Sequence, residues 1–213
     1  MPDADNAPPL SDPGRYVSRG ALKLEHALRT FKLDVSGFLC ADLGCSTGGF
    51  TDCLLQHGAA RVFSVDTAYG QLAWKLRNDD RVEVMERSNA LHTDPHPDAS
   101  QRGGVDLVVI DLGWTRQDKA IPAARKWTKP GGKIITLIKP HYEADKSELG
   151  EGGVLDPERS EAIAMRVIDE LPTLGVRVLG LTESPVLGGA VKAKRKKKGA
   201  GNREWLALLE PAT

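Results

Sequence analysis

Strands alternating with helices along nearly the whole chain predict an α/β protein with a doubly wound sheet. Three features carry that expectation. Short apolar runs such as VDLVVI (105–110) read as strands buried on both faces of a parallel sheet. The stretches between such runs carry helical spacing. The last two strand-like runs, 176–185 and 203–211, have no helix between them and are most simply antiparallel neighbours. The result is a mostly parallel seven-stranded sheet with one antiparallel strand near its edge.

The elements follow in order. Residues 1–14, rich in proline and aspartate, read as a disordered tail, and 15–213 as one folded domain. Leu24, Ala27, Leu28 and Phe31 recur at helical spacing behind Ser18, a candidate N-cap. Gly37 closes the linker that follows. FLCADLG (38–44) is a strand, a glycine-rich turn comes next, and FTDCLLQHG (50–58) is a helix stopped by Gly58. RVFSVDT (61–67) is the second strand, GQLAWKLRND (70–79) a helix, and RVEVMER (81–87) the third strand. VDLVVIDLG (105–113) is the fourth. DKAIPAARKW (118–127) is helical, with Pro122 expected near its first turn. GGKIITLIKP (131–140) is the fifth strand. Residues 156–175 form a helix opened by Asp156, with Pro157 at its first position. The pair 176–185 and 203–211 ends the sheet.

Composition excludes several function classes. Lysine plus arginine equals aspartate plus glutamate, 29 against 29, so any polyanion must be held by a local patch. No apolar run approaches the ~20 residues of a membrane span. The first residues lack the basic start and apolar stretch of a secretory signal. Cys40, Cys45 and Cys53, odd in number and clustered, read as reduced thiols of a cytoplasmic protein. No histidine sits at ligand spacing from them, so no metal site is expected.

Ligands in such sheets bind beyond the carboxyl ends of the strands. Asp42, Asp66, Asp111 and Lys139 each follow a strand-like run, and Glu204 opens the last one. An antiparallel last strand begins at the same edge, so topology gathers all five on one rim. A single charge after a strand is commonly a loop entering solvent. Five beside a glycine turn point to a site. The turn DLGCSTGGF (42–50) has glycines at 44, 48 and 49, the wrong spacing for a dinucleotide turn. Asp42 before it would repel a pyrophosphate and suit a cation. Asp66 lies ~20 residues on, where an acid can hydrogen-bond ribose hydroxyls. An adenosine carrying a cation satisfies both, and S-adenosylmethionine is such a molecule.

The blocks YVSRGALKLEHAL, DLGCSTGGFTDCLL, VDTAYGQLAWKLR, LIKPHYE and GNREWL together resemble the TlyA-type branch of FtsJ-like RNA 2′-O-ribose methyltransferases. The resemblance runs from about Tyr16 to Leu209. It implies a Rossmann-like methyltransferase fold, S-adenosylmethionine as cofactor, and a Lys-Asp-Lys-Glu tetrad matched by Lys23, Asp111, Lys139 and Glu204. In the cofactor turn, Gly48 and Phe50 match contact positions of the family. Gly44, Ser46, Thr47 and Gly49 complete the turn, with Asp42 and Asp111 flanking it. Asp66 matches the ribose-binding acid and Asn89 the position that meets the adenine. The chain departs from the family in having only a short tail where a small RNA-binding domain usually precedes YVSRG, which leaves RNA selection to other contacts or to a partner protein. LGWTRQ after Asp111 also differs from the usual LSF.

The implied reaction is methyl transfer to a ribose 2′-hydroxyl of RNA, most readily ribosomal RNA. To act as a base, Lys139 must shed its proton. Burial and the second cation, Lys23, favour that loss, whereas Asp111 and Glu204 oppose it. In the alternative, Lys139 stays charged and orients the hydroxyl. KAKRKKK (192–198), within an expected mobile loop at 192–202, holds six cations in seven positions and reads as a phosphate-tracking clamp. Trp114 is the best candidate for a stacking residue, with a buried tryptophan an equal alternative. A small-molecule O-methyltransferase on the same fold is the alternative, and a haemolysin-like membrane-acting protein a more distant one.

Overall fold

The computed structural model describes residues 13–150, 153–188 and 201–212. The tail expected at 1–14 and the basic run 192–198 lie outside them, apart from a single 3-10 turn at Pro13–Arg15 that includes the last two tail residues.

The seven strands are β1 (Leu39–Leu43), β2 (Arg61–Val65), β3 (Val82–Met85), β4 (Val105–Ile110), β5 (Thr128–Ile138), β6 (Val176–Glu183) and β7 (Trp205–Pro211), in the spatial order β3-β2-β1-β4-β5-β7-β6. Pairs β1/β2, β2/β3, β1/β4 and β4/β5 are parallel. β7 lies antiparallel between β5 and β6, with Ile138 opposite Trp205 and Glu183 opposite Trp205 on the other side. One antiparallel strand next to the edge is the expected sheet. Its consequence is positional: the start of β7 meets the end of β5 at the carboxyl rim.

The helices are α1 (Gly20–Thr30), α2 (Gly49–Gln56), α3 (Trp74–Arg77), α4 (Pro97–Gln101), α5 (Gln117–Trp127), α6 (Pro140–Glu143) and α7 (Pro157–Glu170). They cover both faces. β4 shows why its sequence is apolar throughout: Leu107 and Val109 join the core with Leu24, Leu28 and Leu54 of α1 and α2, whereas Val108 and Ile110 join Ile121, Trp127 and Val167 of α5 and α7. Successive strand side chains alternate between two buried faces.

Four local expectations change. Ser18 is not the N-cap of α1; Arg19 holds that position in helical conformation without a capping side chain. The helix expected at 70–79 shrinks to α3, one turn long. Gly70 stands at φ +72°, outside the helical region, with its N–H on Glu86 Oε1 at 2.8 Å, and the Ala73 N–H, which would open the helical ladder, reaches the Thr47 carbonyl at 3.2 Å instead. Pro122 lies inside α5 rather than at its first turn, where it leaves the Asp118 carbonyl without the usual donor. Asn202, assigned to a mobile basic loop, is buried, with its side chain bonded to Leu155 N–H and Gly153 O.

Asp156 opens α7 as expected, accepting the Arg159 N–H at 2.9 Å ahead of Pro157. Asp156→Ala should lower stability by about 1 kcal/mol, a fall of roughly 3 °C in thermal midpoint by circular dichroism. An unchanged midpoint would show that the Pro157 start alone sets the helix.

Candidate functional site

A cleft of about 610 Å³ opens beyond the carboxyl ends of β1, β2 and β4. Its floor is the turn between β1 and α2. Gly44 sits at φ +93°, and a Cβ there would stand 2.9 Å from the Asp111 carbonyl oxygen, so only glycine lets β1 leave the sheet beside the end of β4. The amides of Gly44 and Cys45 both reach the Val65 carbonyl, at 2.9 and 3.1 Å. Asp66, following β2, accepts the Ser46 N–H and the Ala68 N–H, each at 2.8 Å, one on each oxygen. Each carboxylate oxygen keeps lone-pair capacity toward the cleft.

Of the sequence-derived cofactor residues, Gly44, Ser46, Thr47, Gly49, Phe50, Asp66, Asn89 and Asp111 line the cleft. Gly48 does not; at φ +95° it lets the turn pass over Leu72 and Leu76. Asp42 does not either. Its side chain is fully buried, with Oδ2 accepting the Thr51 N–H at 2.9 Å and the Thr51 hydroxyl at 2.7 Å. Thr51 in turn contacts Ser64 Oγ at 2.8 Å. Asp42 Oδ1 has no partner among the described residues. The acid read as facing a ligand cation is instead a brace beneath the turn, tying β1 to α2 and β2. Residues that sequence reasoning passed over include Ser18 and Gly20, at the start of α1, and Thr115. The first two stand inside the block YVSRGALKL, which was the available signal.

The four tetrad candidates come from four elements and meet at one end of the cleft. Lys23 projects from α1 and its ammonium lies 2.5 Å from Glu204 Oε2, just before β7. Lys139, just after β5, lies 2.5 Å from Asp111 Oδ1 and donates to the Leu112 carbonyl at 2.9 Å. The pairs feel each other. Burial raises the Glu204 carboxyl above the ordinary range, Lys23 and Lys139 oppose that rise, and Asp111 adds to it. His141 beside them is pushed down to about 4, first by burial and then by Lys139 and Lys23, so its imidazole is neutral near pH 7.

Trp114 stands at φ +54° and is 80% exposed beside Asp111. Its ring stacks on Tyr142 at 4.9 Å between centroids, and Lys139 Nζ lies 5.5 Å from the centre of the Tyr142 ring. An exposed indole held flat against a second ring at a cleft mouth can take a third planar group.

The cleft fits an adenosine-bearing cofactor in size and chemistry. Its volume is that of a small-molecule site. Asp66 and Asn89 supply polar groups along one side and Asp111 a carboxylate at the other end.

Asp42 makes the site pH-sensitive. Burial, with Asp111 and Asp66 adding, raises its carboxyl from 3.8 to about 7, although the two Thr51 hydrogen bonds resist. Between those values the folded chain keeps a proton that the unfolded chain loses, so this group lowers stability as pH rises from about 4 to 7, by at most ~4 kcal/mol, and no further above that. Asp42→Asn should abolish this fall. Thermal midpoints of both proteins from pH 5 to 8 test it; a gap that does not widen in favour of Asp42→Asn up to pH 7 would refute the assignment.

The family model of FtsJ-like methyltransferases matches residues 16–192. The 16S/23S rRNA (cytidine-2'-O)-methyltransferase TlyA of Mycobacterium tuberculosis is 43% identical over 93% of this chain and 69% of its own length. YqxC of Bacillus subtilis, named as a candidate rRNA methyltransferase, is 41% identical over 84% of this chain, which spans only 63% of that relative's length. A solved structure from Streptococcus thermophilus, named as a hemolysin, superposes with a TM-score of 0.82 at 39% identity, covering 93% of this chain and 68% of that one. With its turn, its rim of paired charges and its antiparallel seventh strand in place, the chain belongs to the FtsJ-like methyltransferase family.

Proposed function

We propose that the chain transfers a methyl group from S-adenosylmethionine to a ribose 2′-hydroxyl of RNA, with ribosomal RNA, the substrate in its relatives' names, as the substrate class. The observation that carries this reading is the meeting of two lysine–carboxylate pairs at the end of the cofactor-sized cleft. When bound, the cofactor supplies a methyl group already activated by its sulfonium. The turn from Gly44 to Phe50 would hold its amino-acid end, Asp66 its ribose hydroxyls and Asn89 its base.

The work left to the chain is alignment and management of one proton. Lys139 pairs with the Asp111 carboxylate and donates one N–H to the Leu112 carbonyl. In this reading its amine faces the acceptor hydroxyl and either orients its oxygen along the line of displacement or takes its proton. Lys23 and Glu204 stand behind that pair and fix its field. Trp114, stacked on Tyr142, offers a face to a nucleobase. The basic run 192–198 adds phosphate contacts by charge alone. RNA is the partner and the cytoplasm the compartment in this reading. Among the described residues no helix is long and apolar enough to cross a membrane. No observed feature favours a membrane-acting role, and the charged rim fits RNA better than a small apolar acceptor.

The direct experiment is incubation with labelled S-adenosylmethionine and unmodified ribosomal RNA, followed by mapping of ribose methylation. Label appearing on a catechol and not on RNA would favour the small-molecule alternative. Lys139→Met should lower kcat by at least ~100-fold while cofactor affinity by calorimetry stays within a few-fold. Trp114→Ala should raise KM for RNA roughly tenfold with a smaller change in kcat. Neutralising lysines within 192–198 should flatten the salt dependence of RNA binding by ~1 logarithmic unit per lost contact. An unchanged slope would remove the run from the interface.

A further inference from the structure

The two oxygens of Glu204 have different surroundings. Oε2 meets Lys23, whereas Oε1 faces the main chain of Gly188. A Cβ built on Gly188 would overlap Oε1, lie 2.8 Å from Glu204 Cδ and 3.4 Å from the Asn202 carbonyl oxygen. Gly188 is not among the residues with positive φ, so its backbone conformation does not call for glycine. What the missing side chain leaves is room for the carboxylate.

The segment carrying Gly188 is fixed from two directions. The Gly188 N–H donates to the Asn202 carbonyl and the Ser184 N–H to the Glu204 carbonyl, each at 2.8 Å. These bonds extend the β6/β7 pairing beyond the ends of the strands. Asn202, only 2% exposed, then ties this neck to the segment before α7: its Oδ1 accepts the Leu155 N–H at 3.0 Å and its Nδ2 donates to the Gly153 carbonyl at 3.2 Å. Gly201 allows the close approach, since a Cβ there would lie 2.9 Å from Leu187 Cβ.

We propose that Gly188 and Asn202 are positioning residues for Glu204: the neck they form packs against one carboxylate oxygen and holds the other on Lys23. The catalytic consequence rests on the methyl-transfer reading; the packing itself does not. A methyl group at position 188 displaces the flexible end of one buried side chain. The fold survives and the Lys23–Glu204 contact is lost.

A cycle of Gly188→Ala, Glu204→Ala and the double variant tests the packing without reference to activity. Gly188→Ala should lower the thermal midpoint by roughly 4 °C in the wild-type background and by under about 1 °C once Glu204 is Ala. Equal losses in both backgrounds would overturn the proposal. In methylation assays, Gly188→Ala should lower kcat by ~10–100-fold with cofactor Kd and RNA KM within about threefold. Glu204→Asp draws the carboxylate back by one methylene, and adding Gly188→Ala to it should cost less than about twofold. Normal kcat in Gly188→Ala, or the same loss in both backgrounds, would also overturn it. Asn202→Ala should reproduce the selective loss of kcat. A wild-type chain that methylates no RNA would sink the methyl-transfer reading, and the melting cycle would still decide whether Gly188 sets Glu204.

Discussion

The ion pair between Lys23 and Glu204 joins α1 to the start of β7 across 181 residues of sequence, and both members are nearly out of solvent. Taking such charges from water costs several kcal/mol per ion, and only close pairing offsets it. Either charge left alone would destabilise the fold, so α1 must dock where it does and β7 must begin where it does. The second requirement dictates the topology. A parallel β7 would begin at the opposite edge of the sheet, a strand length from Lys23. The antiparallel strand is therefore more than a variation on a common sheet, because it turns the last strand's entrance toward the rim where the other strands exit.

Exposure divides the ionisable groups of the rim by task. Asp42 is wholly buried, bonded to Thr51 and raised toward neutrality, which suits a brace and not a ligand contact. Asp66 uses both oxygens to hold the turn while still lining the cleft. The strand-end position is common to both residues. Asp42 lies one residue inside the end of β1, where the Thr51 hydroxyl can reach it, whereas Asp66 lies just past the end of β2.

That difference marks how far the sequence could be read. The apolar runs of β1, β2, β4 and β5 and the missing helix before β7 make the sheet legible, because burial on two faces leaves a continuous apolar signature. The gathering of Lys23, Asp111, Lys139 and Glu204 is legible through matched motif blocks. Local spacing alone would leave Lys23 an ordinary surface lysine on a helix. Three features were not legible for the same reason: each depends on a contact between different elements that no local pattern announces. The Asp42–Thr51 bond diverts an acid from the cleft. The Gly70–Glu86 and Ala73–Thr47 bonds shorten α3 against its propensity. Asn202 sits among polar and basic residues that read as loop, yet its side chain is satisfied by Gly153 and Leu155 nearly fifty positions away.

The two lysine–carboxylate pairs are not equivalent. Lys139 and Asp111 line the cleft, and Asp111 is the most exposed of the four at 26% of its side chain. Lys23 and Glu204 do not line it, and Glu204 is 3% exposed. In the methyl-transfer reading, an acceptor entering the cleft meets the first pair. The inner pair then acts through its field and through the position it imposes on Lys139. Its net charge is zero, so from a distance it attracts nothing. At close range its cation and its carboxylate act on Lys139 with opposite sign, and small displacements of Glu204 change that balance. A group whose influence depends on a difference between opposing terms needs tight placement more than the outer pair does. Its oxygens are accordingly held between a lysine and a main chain that has no side chain in the way.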